Sequence, residues 1–232
     1  MDSAQNRVAI ITGGSKGIGK AIATKLAKEG IKLVLVARNK SPLTETVEEL
    51  SNLSDVIGIS ADISRDEDVN RIMEETLSKF GHIDILVNNA GMYLEKPFDE
   101  CTNDEINKII GVDLRGMFLL TRNIVPYLKA QKRGAIINIA SEMGLIGVEN
   151  QALHCACKFA LVGFSQSLFH EMRRHNILVS CLCPSATNTW GDDKSDSLLR
   201  SEDVAEIVNF ILSSNPNNAI AQIVFRSLKP YQ

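Results

Sequence analysis

The chain has 232 residues, of which 44% are apolar and 23% charged, as in ordinary globular proteins, which excludes disordered and collagen-like classes. Its 25 Lys and Arg against 28 Asp and Glu give a net charge of -3, so no basic surplus points to nucleic acid as a partner. The length suits one full-sized domain, or one domain with a short appendage.

Hydropathy and the N-terminal segment both indicate a protein outside the membrane. The longest unbroken apolar run, Leu33 to Ala37, is far below the length of about 20 residues that crosses a bilayer. Met1 to Arg7 is polar and leads directly into a strand-like run, which is the wrong order for a signal peptide. The five cysteines are an odd number in a chain long enough to fold without disulfides. We therefore expect a cytoplasmic protein with reduced cysteines.

Apolar runs of strand length alternate with longer amphipathic stretches along the chain. Strands are predicted at Val8 to Thr12, Lys32 to Ala37, Val56 to Ser60, Ile83 to Asn88, Ala135 to Ala140, Leu178 to Cys183 and Ile220 to Phe225. Helices are predicted near residues 17–29, 41–53, 66–80, 103–129, 150–174 and 202–213. Ser64 ahead of Glu67, and Thr102 ahead of Glu105, have the spacing of helix N-caps.

This order of elements predicts the fold class. Apolar strands separated by helices are typical of a parallel sheet covered on both faces, because right-handed crossovers place helices on both sides. We predict a single α/β domain with a doubly wound parallel sheet of about seven strands. The stretch from Pro184 to about Arg200 is irregular and follows the carboxyl end of a strand, which makes it a candidate lid over a ligand.

A glycine-rich turn follows the first predicted strand, in the segment Thr12 to Lys20. Its glycines permit a tight turn and a close approach of the backbone to a diphosphate, whose charge the N-terminus of the next helix stabilises. The spacing is not GxGxxG, and taken alone it fits a phosphate cradle and a plain strand-helix turn equally well. Its place, directly after the first strand and at the start of the first helix, favours the cradle.

The end of the second predicted strand indicates which dinucleotide binds. When the cofactor is NAD, a carboxylate in this region usually binds the ribose hydroxyls. Here the strand ends in Ala37 and Arg38, and a guanidinium pairs instead with a 2′-phosphate. Together with Lys16 in the glycine turn, Arg38 favours NADP over NAD. The alternative is that both cations are solvated surface charges.

Further motifs identify a family resemblance. After the fourth strand stands Asn88-Asn89-Ala90-Gly91, and with it the chain resembles the short-chain dehydrogenase/reductase family, most of all its 3-oxoacyl-carrier-protein reductase-like members. The resemblance runs from Arg7 to about Phe225 and implies a Rossmann-type fold. It rests on an ordered set of motifs: Thr12, Gly13, Gly17 and Gly19 of the glycine turn, Ala61-Asp62-Ile63, the NNAG segment, Ile137 to Ser141, Lys158 and Pro184.

The resemblance assigns the cofactor residues. It implies that Asp62 holds the adenine amino group, that Ile63 flanks the base, and that Lys158 bonds the nicotinamide ribose. The other residues implied to contact the cofactor lie in the glycine turn, beside the ribose, and in the turn that packs on the carboxamide. They are Gly13, Ser15, Lys16, Gly17, Ile18, Gly19, Arg38, Asn89, Ala90, Gly91, Pro184, Thr187 and Thr189. The family usually has Pro-Gly where this chain has Pro184-Ser185, so a slightly different backbone is expected there.

The catalytic pattern departs from the family at two positions. The family uses a Ser to polarise the carbonyl, a Tyr to transfer the proton, a Lys to lower the Tyr pKa, and an Asn to hold a relaying water. The Ser is Ser141 and the Lys is Lys158, but His154 stands in the position of the Tyr and Asp113 in that of the Asn. Natural divergence and an introduced Tyr→His substitution would give the same sequence.

The two departures have opposite effects on the proton at residue 154. A neighbouring Lys ammonium pushes the pKa of an imidazole down, which leaves a poor acid. Asp113, if ionised nearby, acts in the opposite sense and restores imidazolium character, so the two substitutions compensate. The alternative is that His154 is a solvent-lined residue at a site that has lost catalysis.

We therefore expect NADPH-dependent reduction of a ketone, of the 3-oxoacyl type or another small carbonyl, with the alternative of a non-catalytic NADP(H)-binding sensor or subunit.

Cys155-x-Cys157 and Cys181-x-Cys183 are interpreted as buried thiols, since positions i and i+2 of a helix face apart, and no metal site is expected. A homodimer or homotetramer is expected because an apolar outer stripe is predicted on one helix: Phe159, Val162, Gly163, Gln166 and His170.

Overall fold

Strands and helices alternate over most of the computed structural model, which describes residues 6–189, 197–215 and 218–229. The strands are β1 Val8–Thr12, β2 Lys32–Ala37, β3 Val56–Ser60, β4 Ile85–Asn88, β5 Gly134–Ile139, β6 Ile177–Pro184, β7 Thr187–Asn188, β8 Leu199–Arg200 and β9 Gln222–Phe225. The helices are α1 Gly17–Lys28, α2 Lys40–Leu50, α3 Asp66–Phe80, α4 Asn103–Ile110, α5 Met117–Gln131, α6 Ala152–Met172 and α7 Ser201–Ser213.

The main sheet has the order β3-β2-β1-β4-β5-β6-β9, and every pair is parallel. Alternate residues of the central strands enter two separate cores, so that Ala9 and Ile11 pack on one side and Val8 and Ile10 on the other. Helices cover both faces, which is why strands with no polar face are stable here. The prediction of a single, doubly wound, Rossmann-type α/β domain is confirmed. The order reverses between β1 and β4, where such sheets bind ligands.

Two predictions about helix starts have different outcomes. Thr102 caps α4 as expected, because its side chain accepts from the Glu105 amide while the Glu105 carboxylate accepts from the Thr102 amide. Ser64 does not cap α3. The N-cap is Arg65 without a side-chain bond, and the Ser64 hydroxyl donates to Asp62 Oδ1 at 2.7 Å. The nearby carboxylate competes with the helix for the hydroxyl.

The predicted helical pattern near 103–129 is confirmed, but it does not form one regular α-helix. A π-helical segment, Gly111–Gly116, separates α4 from α5. Such a segment inserts extra backbone into the helix and changes the direction of its side chains, and it is frequent at functional sites. Asp113 lies inside it and is buried, so this irregularity sets the position of a predicted catalytic residue.

α6 is the longest helix of the described residues and packs against β6. By length and apolar composition alone the stretch Ala152–His175 would be able to cross a membrane, although no unbroken apolar run predicts it. Buried His154 and Lys158 lie on the helix, which is typical of an interior helix of a folded domain. The predicted outer stripe needs one correction: Val162 faces inward, where it packs with Leu161 and Met117.

Candidate active site

The glycine turn after β1 forms the first wall of the site. Gly17 has φ +52, and a Cβ at Gly19 would lie 2.2 Å from the Gly13 carbonyl oxygen, so other residues would strain or block this turn. Lys16 precedes α1 in an extended conformation without a side-chain cap, and the first turn carries no acidic residue. The amides at the start of α1 and its positive end therefore fit a diphosphate group.

Polar bonds join the glycine turn to the segment after β4. Thr12 Oγ1 accepts from the amides of Asn89 and Ala90, each at 3.0 Å. Asn89 Nδ2 in turn donates to the Thr12 carbonyl at 2.9 Å. These bonds hold two strand ends together on either side of the point where the strand order reverses.

The residues predicted for the adenosine end lie around the ends of β2 and β3. Arg38 and Lys16 are both exposed, which leaves their charges open to a ligand and also fits the alternative of solvated cations. Asp62 Oδ1 accepts from the amide of Ser64 at 3.0 Å. Ile63 packs against Gly116 of the π-helical segment, where an added Cβ would stand 2.6 Å from its Cγ1.

The turn after β6 closes over the glycine turn. Thr189 packs against Gly17, since a Cβ there would lie 3.0 Å from the Thr189 Cβ. Ser185, which replaces the family's usual Gly, is not among the residues with positive φ, and its Oγ accepts from the Ser227 amide at 3.2 Å. A serine is thus accommodated, and it ties the turn to the segment after β9. The centre of the predicted lid, residues 190–196, lies outside the described residues.

A buried ion pair occupies the middle of the candidate site. Lys158 Nζ lies 3.3 Å from Asp113 Oδ2, and the two side chains are 9% and 1% exposed. Gly91 lies directly against the pair, because a Cβ there would stand 3.2 Å from Asp113 Oδ2 and 3.4 Å from Lys158 Nζ. The family's Asn acts on the lysine through a water molecule. In this chain Asp113 contacts Lys158 directly.

His154 is 8% exposed, so the interpretation of a solvent-lined residue is wrong. Its Nδ1 lies 3.1 Å from the Met92 carbonyl oxygen. Burial and the Lys158 ammonium lower the pKa of His154, and the Met92 carbonyl and Asp113 only partly oppose them. Asp113 was expected to restore imidazolium character, but the net shift of the His154 pKa is downward. Asp113 forms its ion pair with Lys158, and desolvation is the largest influence on the His154 pKa.

Ser141 follows β5 and begins the short helical turn Glu142–Gly144. Its Oγ accepts from the Met143 amide at 3.2 Å, which leaves the hydroxyl proton for another acceptor. Among the described hydrogen bonds none joins Ser141 to His154. The two side chains therefore have separate hydrogen-bond partners.

Tyr93 and Gln151, neither of them among the residues predicted for catalysis or cofactor binding, lie beside His154. The Tyr93 ring packs edge-on against the imidazole with centroids 5.4 Å apart, and Gln151 Nε2 donates to the Tyr93 hydroxyl at 2.8 Å. The Lys96 amide also donates to the Asn150 carbonyl at 2.7 Å. The available signal for Gln151 was its position one helical turn ahead of His154.

The cysteines have the character predicted for them. All five are free, and all except Cys101 are buried. Burial raises the pKa of Cys157 to about 11, so its thiol is protonated and a poor nucleophile at neutral pH. Within the described part of the chain no group of three or more His, Cys, Asp or Glu side chains could hold a metal ion.

Comparison with known proteins identifies the family. A family model described as short chain dehydrogenase matches residues 7–197. The chain belongs to the short-chain dehydrogenase family. It is therefore an oxidoreductase, and its resemblance to this family is confirmed over most of its length.

Individual relatives cover almost the whole chain. An uncharacterised oxidoreductase of Staphylococcus epidermidis is 30% identical over 230 residues, which are 97% of this chain and 99% of that protein. A 3-ketoacyl-(acyl-carrier-protein) reductase from Brucella melitensis, in complex with NADH, superposes with a TM-score of 0.90 at 31% identity, over 97% of this chain and 99% of its own. L-sorbose reductase from Gluconobacter frateurii, in complex with NADPH and L-sorbose, has a TM-score of 0.90 at 28% identity, over 98% of each chain.

Proposed function

We propose that this short-chain dehydrogenase reduces a small ketone, of the 3-oxoacyl type or another, to an alcohol with NADPH, at a weakened rate. The observation that carries the proposal is the buried Lys158–Asp113 pair against Gly91. It keeps the lysine of the family's pattern at the edge of the sheet where the glycine turn, Ser141 and His154 also lie. Structural neighbours in complex with NADH and NADPH support a nicotinamide cofactor.

In this proposal the residues that would hold the cofactor stand at the ends of β1, β4 and β6. The start of α1 would hold the diphosphate, Arg38 and Lys16 the 2′-phosphate, and Asp62 and Ile63 the adenine. Lys158, next to Gly91, would bind the nicotinamide ribose. The remaining contacts come from Gly13, Ser15, Gly17, Ile18, Gly19, Asn89, Ala90, Pro184, Thr187 and Thr189.

The chemistry that NADPH would supply at this site, when bound, is a hydride for the carbonyl carbon. Ser141 donates its free hydroxyl proton as a hydrogen bond to the carbonyl oxygen, which stabilises the negative charge that develops there. His154, in its imidazolium form, gives the proton that completes the alcohol. Because an imidazole is shorter than a phenol, the transfer passes through a bridging water or requires a more closely bound substrate.

Cofactor preference tests the assignment of Arg38. We expect NADPH to bind more tightly than NADH, because the end of β2 presents an exposed guanidinium and no carboxylate. Fluorescence titrations of both cofactors with the parent and with Arg38→Ala measure this preference, and Arg65→Ala is a control for loss of a positive charge. Equal affinities in the parent, or an unchanged preference in Arg38→Ala, would contradict it.

NADPH oxidation with a panel of ketones tests the activity. We expect slow but measurable turnover by the parent and loss of it in Ser141→Ala with cofactor affinity retained. A parent that binds NADPH and turns over no ketone contradicts the proposal.

A second candidate function is a non-catalytic NADP(H)-binding sensor or subunit. The observation that favours it is the lowered pKa of His154, because a neutral imidazole is a poor acid at neutral pH. Tight NADPH binding without turnover over the whole panel, at acid as well as neutral pH, is the result that this function predicts.

A further inference from the structure

The segment that follows Gly91 has no role in the proposed function. Tyr93 donates its hydroxyl proton to Glu95 Oε2 at 2.5 Å and lies 2.8 Å from Gln151 Nε2. A phenol has one proton and a carboxylate only accepts, so the hydroxyl must accept from Gln151. This fixes the orientation of the Gln151 amide. Gln151 is 7% exposed and immediately precedes α6.

The neighbouring residue holds the imidazole. The Met92 carbonyl lies 3.1 Å from His154 Nδ1, and because a carbonyl only accepts, Nδ1 carries the hydrogen. In the neutral ring Nε2 is then the unprotonated nitrogen, and it is the atom that gains and loses the exchangeable proton. The Met92 amide donates to Asp113 Oδ1 at 2.7 Å, so Met92 is anchored on both sides.

Tyr93 adds the third restraint on this arrangement. Its ring meets the imidazole edge-on, at an interplanar angle of 73°, and its hydroxyl ties the segment to the start of the helix that carries His154. Loss of the hydroxyl would leave the segment tied to the start of α6 on this side only by the bond from the Lys96 amide to the Asn150 carbonyl, with Tyr93 itself no longer held. The charged and titratable groups around His154 are Lys158 on the same helix, Asp113 from the π-helical segment, and Tyr93 itself.

We propose that Tyr93, through its bond to Gln151, is a positioning residue that holds the His154 ring as the Nδ1–H tautomer and so keeps Nε2 as the nitrogen that exchanges a proton with the substrate. This inference rests on the proposed function, in which His154 is the acid.

The first test measures the tautomer without any turnover. Nitrogen-15 NMR of the full chain at pH 7.5, with His154→Gln used to assign the signal among the four histidines, should show Nδ1–H in the parent. Tyr93→Phe keeps the ring and should convert the signal to a mixture of tautomers. Tyr127→Phe, on the exposed side of α5, is the matched control and should leave it unchanged.

The second test uses kinetics in two backgrounds. Tyr93→Phe should lower kcat for ketone reduction by about five- to tenfold in the His154 parent, with KM for NADPH unchanged. In the His154→Tyr background it should change kcat by less than twofold, because no imidazole remains to be oriented. Gln151→Met removes the same bond from the other side and should reproduce both results.

The outcomes separate this inference from the proposed function. An unchanged tautomer in Tyr93→Phe, or equal losses of kcat in both backgrounds, overturns the positioning role. A shift of the tautomer in Tyr93→Phe that Gln151→Met does not reproduce also overturns it, because the shared bond is then not the cause. A parent that turns over no ketone while the tautomer shifts as expected supports the positioning and contradicts only the proposed function.

Discussion

A neighbouring lysine shifts the pKa of an imidazole and that of a phenol with opposite consequences for acid catalysis at neutral pH. An ammonium such as that of Lys158 moves the pKa of a phenol from about 10 toward neutrality, where the group is a useful acid. It moves the pKa of an imidazole from about 6.5 away from neutrality. At residue 154 burial adds to this effect and lowers the pKa of the histidine. The surroundings that would activate a tyrosine therefore weaken His154.

Restoring the phenol should raise activity. We expect His154→Tyr to increase kcat/KM for ketone reduction at least tenfold, because Ser141 and Lys158 stand at the positions that accompany a tyrosine in the family's pattern. A tenfold gain is about 1.4 kcal/mol of transition-state stabilisation, and general acid catalysis is commonly worth about 10²- to 10⁴-fold. NADPH oxidation measures it, with His170→Tyr on the exposed face of α6 as the control. A slower His154→Tyr enzyme would show that the histidine has chemistry of its own.

Asp113 should have opposite effects in the two backgrounds. In the His154 enzyme it raises the pKa of the imidazole, so Asp113→Asn should slow reduction. In His154→Tyr the same change frees the Lys158 charge to act on the phenol and should speed reduction. The four variants form a double-mutant cycle, and effects of equal sign in both backgrounds would contradict this account.

The lowered pKa of His154 sets the pH dependence of the reaction. Reduction needs the imidazolium, whose population falls about tenfold per pH unit once the pH exceeds the pKa. Because burial places that pKa below the usual histidine range, kcat/KM should fall throughout the range above pH 6.5. In His154→Tyr the decline should begin at higher pH. Initial rates between pH 5.5 and 8.5 measure both, and a flat parent profile would show that His154 is not the acid.

The sequence predicted where the candidate site residues stand, after strands and near the start of a helix, but not which groups they contact. Ser141, Lys158 and the glycine turn stand at fixed spacings after strands, and spacing is visible in a sequence. The bonds of Tyr93 to Gln151 and of Met92 to His154 join residues 58 and 62 positions apart, and no local pattern records them. The protonation state of His154 depends on how deeply the side chain is buried. The sequence indicates this only through the apolar residues beside it in the chain.

At the scale of elements, helix ends and irregularities depend on local competition. The capping box at Thr102 was predictable because both of its members belong to one turn. The π-helical segment was not, since its residues, Gly111 to Gly116, show no pattern that distinguishes them from an ordinary helix. Val162 was misplaced because α6 is apolar on more than one side, so periodicity alone does not indicate which face is outward.

The capping box makes a measurable contribution to stability. Thr102→Ala should lower the free energy of unfolding by about 1 kcal/mol at pH 7, as is typical for loss of an N-cap. The backbone amide of Thr102, and after it the hydroxyl, lower the pKa of Glu105 by donating to its carboxylate. Thr102→Ala keeps the amide and removes the hydroxyl bond, whose contribution is complete above the ordinary glutamate pKa and is lost as the pH falls through the lowered one, so part of the cost should disappear in acid. Urea unfolding measures it, with Thr44→Ala on exposed α2 as the control. A cost that does not depend on pH would contradict the role of Glu105.

For the whole molecule, an exposed apolar surface points to self-association. Phe118 of α5 and Phe159 of α6 remain 38% and 47% exposed, and Phe118 packs on Phe164 with ring centroids 4.8 Å apart. We propose that these helices pair in a homodimer or homotetramer, since exposed aromatic side chains on neighbouring helices are typical of an interface.

Light scattering at micromolar concentration should give a mass of two or four chains. Phe159→Glu should reduce that mass, because a buried carboxylate opposes association. Leu53→Glu, at a site with similar exposure away from these helices, should leave it unchanged. A monomeric parent would contradict the assembly.

The three bonds between the segment after β4 and the start of α6 also affect the rate at which these two segments open. Met92 is bonded to His154, Tyr93 to Gln151, and Lys96 to Asn150. Segments joined at three points open together, so their backbone amides should exchange hydrogen with deuterium at a common rate. Removal of the Tyr93 hydroxyl should accelerate exchange at the Lys96 amide as well, and mass spectrometry of peptides from 92–100 and 148–156 would register both changes. The segment after β4 and the start of α6 would then open as one unit, and the three bonds together would set how often the two separate.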